Sequence, residues 1–410
     1  MTTAPHRPPR VGVFGLLGSG NLGNDGSLEA VLGYLRTDHP DAEVDALCGG
    51  PEAVTARFGI PATRLHWNRA EYRTASRAGA AATKGLGKLV DVFRTAAWVR
   101  RHDVVIVPGM GVLEATLPLR PWGFPYSLFL LCASGRLVRT PVALVGVGAG
   151  EIRSRPTRAL VRWSARCAAY RSYRDTPSRD AMRAMGVDTA RDEVYPDLAF
   201  SLPAPAASTP TGSPGTVCLG VMDFHGGNDD RARADEIHRR YLDGTIRFVR
   251  TLTDEGRPVR LLTGDRCDTA VVDAILAAVD SPLVTAAEPA SLADLMDEMA
   301  AADTVVAVRY HNLICALKTG TPALALCYAT KSEALMERMG LGAYCHPARE
   351  VDADRLLEQF RALEKNAAEL RRTLVESNRT VARQLADQFT ALTTTLFPAR
   401  TRAKALRETA

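Results

Sequence analysis

The chain is 410 residues long, 46 % hydrophobic and 24 % charged. That is too long for a single core, and too evenly mixed for a repeat array or a disordered tract. The formal net charge of +5 suits an acidic or phosphorylated ligand as well as a slightly basic surface, and does not call for nucleic acid. Eight cysteines are scattered without a C-x-x-C pair or a zinc spacing. Several, such as Cys48 and Cys327, sit inside apolar runs, which reads as reduced thiols. The N-terminal MTTAPHRPPR has no apolar signal region. The longest apolar stretches fall short of the roughly 20 residues a membrane span needs. The expected location is cytoplasmic.

Apolar, β-rich runs alternate with helical patterns along the chain. Val11–Leu16, Ala42–Cys48, Asp103–Gly109 and Pro141–Gly148 read as buried parallel strands. Helices are expected at Leu28–Arg36 and Tyr126–Val138. A strand follows at Ala169–Asp175, then a helix over Ser178–Met185 capped by Ser178. The stretch SLPAPAASTPTGSPGT reads as a linker. A second series follows: TVCLGVM, a helix at Ile237–Glu255, PVRLLTG, a helix at Thr269–Val279, SPLVT, a helix at Leu292–Ala301, TVVAV, a helix at Leu313–Thr319, and PALALCY. Glu369–Thr395 reads as a long terminal helix. Alternating strands and helices predict an α/β protein of two doubly wound, Rossmann-like domains facing a central cleft. The expected division is 1–203, 204–375, and a C-terminal helix at 376–410 that packs back on the first domain.

Arg69–Arg101 stands apart, with eight Lys/Arg and two acids. It reads either as a contact with a membrane surface or a lipid-linked acceptor, or as a solvated basic helix or mobile loop. Its glycines favour the second reading.

Three segments carry chemistry. Gly15–Ala30 follows the first strand and precedes a helix expected near Ser27, as an anion site would. It holds a formal G-x-G-x-x-G at Gly18, Gly20 and Gly23, but those glycines begin late, and Asn21, Asn24 and Asp25 make the loop too polar for a dinucleotide turn. In Val308–Tyr328 a buried strand ends at Arg309, followed by Tyr310, His311 and a helix. This gathers a guanidinium, an imidazole and backbone donors around one anion. In Tyr170–Gly186 the strand-ending Arg174 is the arginine placed to reach the cleft.

The loop GSGNLGND, the segments YRDTPS and YPDLAF, and above all RYHNLICALKTGTPALALCYATKSEALMERMGL resemble the polysaccharide pyruvyl transferase family. The resemblance spans Val11 to about Gly342. It implies a fold similar to the two-lobed GT-B glycosyltransferases. It also implies transfer of a pyruvyl group from phosphoenolpyruvate to hydroxyls of a sugar or glycoside acceptor, forming a ketal and releasing phosphate. By position, the family's phosphoenolpyruvate contacts fall on Arg174, Arg309 and His311, with the Tyr310 backbone adding a donor. Asn21 and Gly23 match the loop's G-N-x-G. Asn24 stands where the family has Asp, with Asp25 one place later.

In that chemistry Arg174 and Arg309 would hold phosphate and carboxylate. His311 would give and take the proton, and Asp25 would deprotonate a hydroxyl. No metal and no cofactor are expected. A GT-B glycosyltransferase using a nucleotide sugar, and a ligand-binding homologue without turnover, are the competing readings. The acceptor and the oligomeric state are not legible.

Overall fold

The computed structural model describes residues 7–67, 77–114, 121–205 and 215–398. Part of the expected linker (206–214) and the start of the basic segment (69–76) lie outside these. The chain forms two units. The first comprises Met1–Ser19, Ser27–Leu198 and Ala386–Ala410; the second comprises Gly20–Gly26 and Ala199–Leu385.

The first unit runs β1 (Arg10–Gly15), α1 (Leu22–Asp38), β2 (Glu43–Cys48), α2 (Pro51–Phe58), β3 (Ala62–Arg64), α3 (Arg77–Arg100), β4 (Val104–Pro108), α4 (Phe124–Val138), β5 (Val142–Val147), α5 (Arg155–Cys167), β6 (Tyr170–Tyr173), α6 (Thr176–Ala184) and β7 (Glu193–Val194). The sheet order is β3-β2-β1-β4-β5-β6-β7, and every pair is parallel. β4 (VVIVP) and β5 (VALVGV) are buried at every residue, because helices on both faces leave no polar side for a central strand. Strand order reverses at β1, between β2 and β4. That is where an open α/β sheet leaves a crevice beyond its strand ends.

The second unit runs β8 (Val217–Gly220), α7 (Ala234–Asp254), β9 (Val259–Leu262), α8 (Thr269–Ala278), β10 (Val284–Ala287), α9 (Leu292–Ala300), β11 (Thr304–Ala307), α10 (Tyr310–Thr319), β12 (Ala323–Cys327), α11 (Thr330–Arg338), β13 (Cys345–Pro347), α12 (Ala353–Lys365) and α13 (Ala367–Leu396). Its sheet is also parallel, in the order β10-β9-β8-β11-β12-β13. The last turns of α13 belong to the first unit. There Gln388 Nε2 donates to Ser172 Oγ at 3.0 Å, and Phe389 stacks on Tyr34.

Four expectations need correction. α1 begins at Leu22, because the Asn21 side chain accepts the backbone N–H groups of Gly23 and Asn24 and so opens the helix before Ser27. α10 begins at Tyr310, so His311 lies inside its first turn and does not cap it. α6 begins at Thr176, and its cap is Asp175, which accepts from Ser178 N at 2.7 Å. The Gly-rich stretch at 77–100 is one continuous helix, α3.

Candidate functional site

At the carboxyl ends of the second unit's strands, β11 stops and Arg309 takes an extended backbone as the residue before α10. Its Nε and Nη2 donate to the two carboxylate oxygens of Asp268 at 2.8 and 2.6 Å. Nη2 also meets Cys267 Sγ at 3.1 Å. Asp268 is fully buried and further accepts the N–H groups of Asp223, Gly264 and Asp265. Such a carboxylate fixes the guanidinium plane. Burial works against the charge on Arg309, and Asp268 outweighs it, so the pKa stands above the ordinary arginine value. Desolvation pushes the adjacent Cys267 thiol up to about 11, which leaves it a weak nucleophile. Nη1 of Arg309 donates to no described residue.

His311 packs directly on Gly23, where a Cβ would overlap its ring. The Tyr310 ring stands edge-on to it at 5.5 Å. Lys331 Nζ lies 5.8 Å from the Tyr310 ring centre and 5.2 Å from that of Tyr328. The segment 20–26 is held here by Asn21, whose Nδ2 donates to Asp265 at 2.9 Å, and by Leu22 N, which donates to Gly264 O. Asn24 gives its N–H to Asn21. Asp25 is a buried acid in the first turn of α1, where the helix dipole favours a carboxylate. The N-terminus of α10 adds the positive end of a second dipole.

In the first unit Arg174 is 3 % exposed. It pairs with Glu114 and Asp197 and lies 3.8 Å from Asp175. A Cβ at Gly148 would overlap this group. The guanidinium is thus surrounded by carboxylates. Asn21, Gly23, Asn24, Asp25, Arg309, Tyr310 and His311 belong to the second unit, whereas Arg174 belongs to the first. Sequence reasoning missed Asp268, Asp265, Glu114, Asp197 and Lys331.

Among the described residues, one group has the ligand types and closeness for a metal ion. These are Asp223, His225 and His238, whose ligand atoms lie within 4.8 Å of one another. The two imidazoles stack at 4.2 Å, and His225 Nε2 is 2.9 Å from Asp223. The histidines come from a loop and from α7, and no zinc-motif spacing announces them.

The family described as polysaccharide pyruvyl transferase matches residues 21–329. That stretch takes in Asn21, Gly23, Arg174, Arg309 and His311. The chain belongs to this family. No curated protein matches the sequence closely enough to be called a relative. The fold of this pyruvyl transferase family member is similar to several solved structures. One is described as a UDP-N-acetylglucosamine 2-epimerase from Listeria monocytogenes (TM-score 0.61, 12 % identity, 96 % of this chain and 98 % of that one). A UDP-GlcNAc 2-epimerase from Neisseria meningitidis bound to UDP-GlcNAc gives 0.58 at 11 % identity, covering 95 % and 99 %. HepE of Anabaena, in complex with UDP and glucose, gives 0.58 at 13 % identity, covering 94 % and 100 %. At such identities the likeness is one of fold: two Rossmann-like domains of GT-B type.

Proposed function

We propose that the protein transfers the pyruvyl group of phosphoenolpyruvate to two hydroxyls of a sugar or glycoside. The enol methylene takes a proton and becomes a methyl group, and the neighbouring carbon becomes cationic. Two hydroxyl oxygens bond to that carbon as the C–O bond to phosphate breaks; of the two protons they lose, one balances the proton taken by the methylene and the other leaves on phosphate. The donor sits on the second unit. The observation that carries this reading is the Arg309–Asp268 pair, set before α10 with His311 in the first turn of that helix.

A guanidinium locked in plane and facing an anion with Nη1 costs no reorganisation when charge moves to the leaving phosphate. His311, in the first turn of α10, supplies the proton for the enol carbon and receives one from an acceptor hydroxyl. Asp25 serves as the second base. Lys331, close to the Tyr310 ring, adds positive charge for an anionic donor. Arg174 acts in the first unit by holding Glu114 and Asp197 in place.

The deciding experiment incubates the protein with phosphoenolpyruvate and a panel of glycosides. It reads released phosphate together with the acceptor mass gained by ketal formation. Phosphate release that depends on an acceptor, with the matching mass gain, is the expected result. A thermal midpoint raised by UDP-sugars and unmoved by phosphoenolpyruvate, with no phosphate released, overturns it, since only a ligand of the native state raises the midpoint.

A further inference from the structure

The loop after β8 is pinned from beneath and open above. Residues 221–227 form neither helix nor strand. Within them Phe224 is 1 % exposed, and its ring lies 5.9 Å from that of Tyr241 on α7 and 6.1 Å from that of Tyr328. With Phe224 turned into the core, its neighbours Asp223 and His225 face outward, and their side chains are 32 and 46 % exposed. His238 stands on α7 three residues before Tyr241 and so on the same face. The backbone under this group is fixed on both sides. Met222 N donates to Tyr241 Oη at 3.1 Å, and Asp223 N donates to Asp268 Oδ1 at 3.0 Å.

We propose that Asp223, His225 and His238 bind one divalent ion of the zinc class. Asp223 Oδ1 is 2.9 Å from His225 Nε2 and 3.7 Å from His238 Nδ1. His238 Nδ1 is in turn 3.2 Å from Phe224 O. Zinc bonds of about 2.0–2.1 Å set ligand atoms about 2.9–3.4 Å apart, so the three groups need close in by only a few tenths of an ångström. The imidazole planes lie 7° apart and must turn to aim both nitrogens at one point, for which the exposed ring of His225 has room. Two imidazoles and a carboxylate suit zinc and its late first-row neighbours, whereas magnesium and calcium take oxygen ligands. Three protein ligands leave a position open, as closed structural sites do not. All three residues belong to the second unit. The ion ties the loop to α7 one backbone bond away from Asp268, the carboxylate that holds Arg309. Its binding is independent of the proposed transfer reaction.

Calorimetric titration of the chelator-stripped full chain with zinc chloride, and separately with magnesium chloride, tests this without any substrate. Uptake of zinc with a raised thermal midpoint, and no response to magnesium, is the expected result. His225→Gln, His238→Gln and Asp223→Asn should each weaken zinc binding by at least the roughly 10–100-fold that loss of a mere outer-shell partner costs. Asp223→Asn keeps the backbone bond to Asp268, so its loss of zinc is not a loss of fold. Cys267→Ser, which removes the exposed thiol, should bind zinc as the parent does. No zinc bound, magnesium bound equally well, or the three variants binding zinc like the parent overturns the proposal and leaves the cluster a hydrogen-bonded group. Zinc binding that disappears with Cys267→Ser overturns it too, by assigning the ion to a thiol.

Discussion

Gly23 and the imidazole of His311 occupy one space: a Cβ on residue 23 would overlap the ring. Gly23→Ala should therefore displace His311 and cost about 1–3 kcal/mol through overpacking. In a His311→Ala background the same change should be neutral or stabilising, because alanine is the better helix residue. Chemical denaturation of the four proteins gives the coupling directly. Equal costs in both backgrounds would show that the glycine answers to something other than His311.

Removing Arg309 should weaken phosphoenolpyruvate binding by about 1.5–3 kcal/mol, the worth of a charge-assisted contact. Arg309→Ala also leaves Asp268 buried and unpaired, which costs about 3–5 kcal/mol of stability. Pairing Arg309→Met with Asp268→Asn should return much of the stability and none of the binding. Calorimetric titration and thermal denaturation read the two effects separately. Binding that survives in the double variant removes Arg309 from the donor site.

His311→Gln keeps a polar side chain and gives up proton transfer. Turnover should fall by roughly 10²–10⁴ with donor affinity little changed, the usual worth of general acid–base catalysis. Initial-rate kinetics across pH is the measurement. A near-normal rate with the pH optimum unmoved would pass the proton-transfer role to Asp25.

His346 in β13 is 1 % exposed. Its Nδ1 is 2.7 Å from Gln359 Oε1, and its Nε2 accepts from Asp352 N at 3.3 Å. Only the neutral ring, protonated at Nδ1, satisfies both contacts. Burial accordingly holds its pKa below the ordinary histidine value. A folded-state pKa below the unfolded one means that this contribution to stability is complete above about pH 6.5 and is lost as the pH falls. His346→Asn should lose less stability than the parent between about pH 7 and about pH 5. Parallel melting profiles over that window would contradict the assignment.

The alternation of strands and helices was legible because a strand buried on both faces is a continuous apolar run, as in β4 and β5. α5 stayed hidden behind its arginines, and α3 behind Gly79, Gly85 and Gly87. α1 was begun late, since Gly23 and Gly26 read as loop although Asn21 had already capped the helix, and α10 was begun late at a start that no side chain caps. The position of Arg309 and His311, between β11 and α10, was legible from an apolar strand that runs into Arg-Tyr-His. Their partners were not: Asp268 lies 41 residues before Arg309, Asp265 lies 244 after Asn21, and Glu114 lies 60 before Arg174. Side chains so distant in sequence are brought together by topology, which local periodicity does not encode.

The division of the chain sets an order of assembly. During synthesis, Asn21 waits for Asp265 to emerge, 244 residues later. The first unit waits longer still, for residues from Ala386 onward, among them Gln388, which reaches back 216 residues to Ser172. The second unit needs nothing beyond Leu385. Domains usually complete from the N-terminus as the ribosome delivers them. Here the half that begins the chain is the last to receive its final helix, and a nascent chain cut short of residue 386 would hold all of the second unit and an unfinished first one.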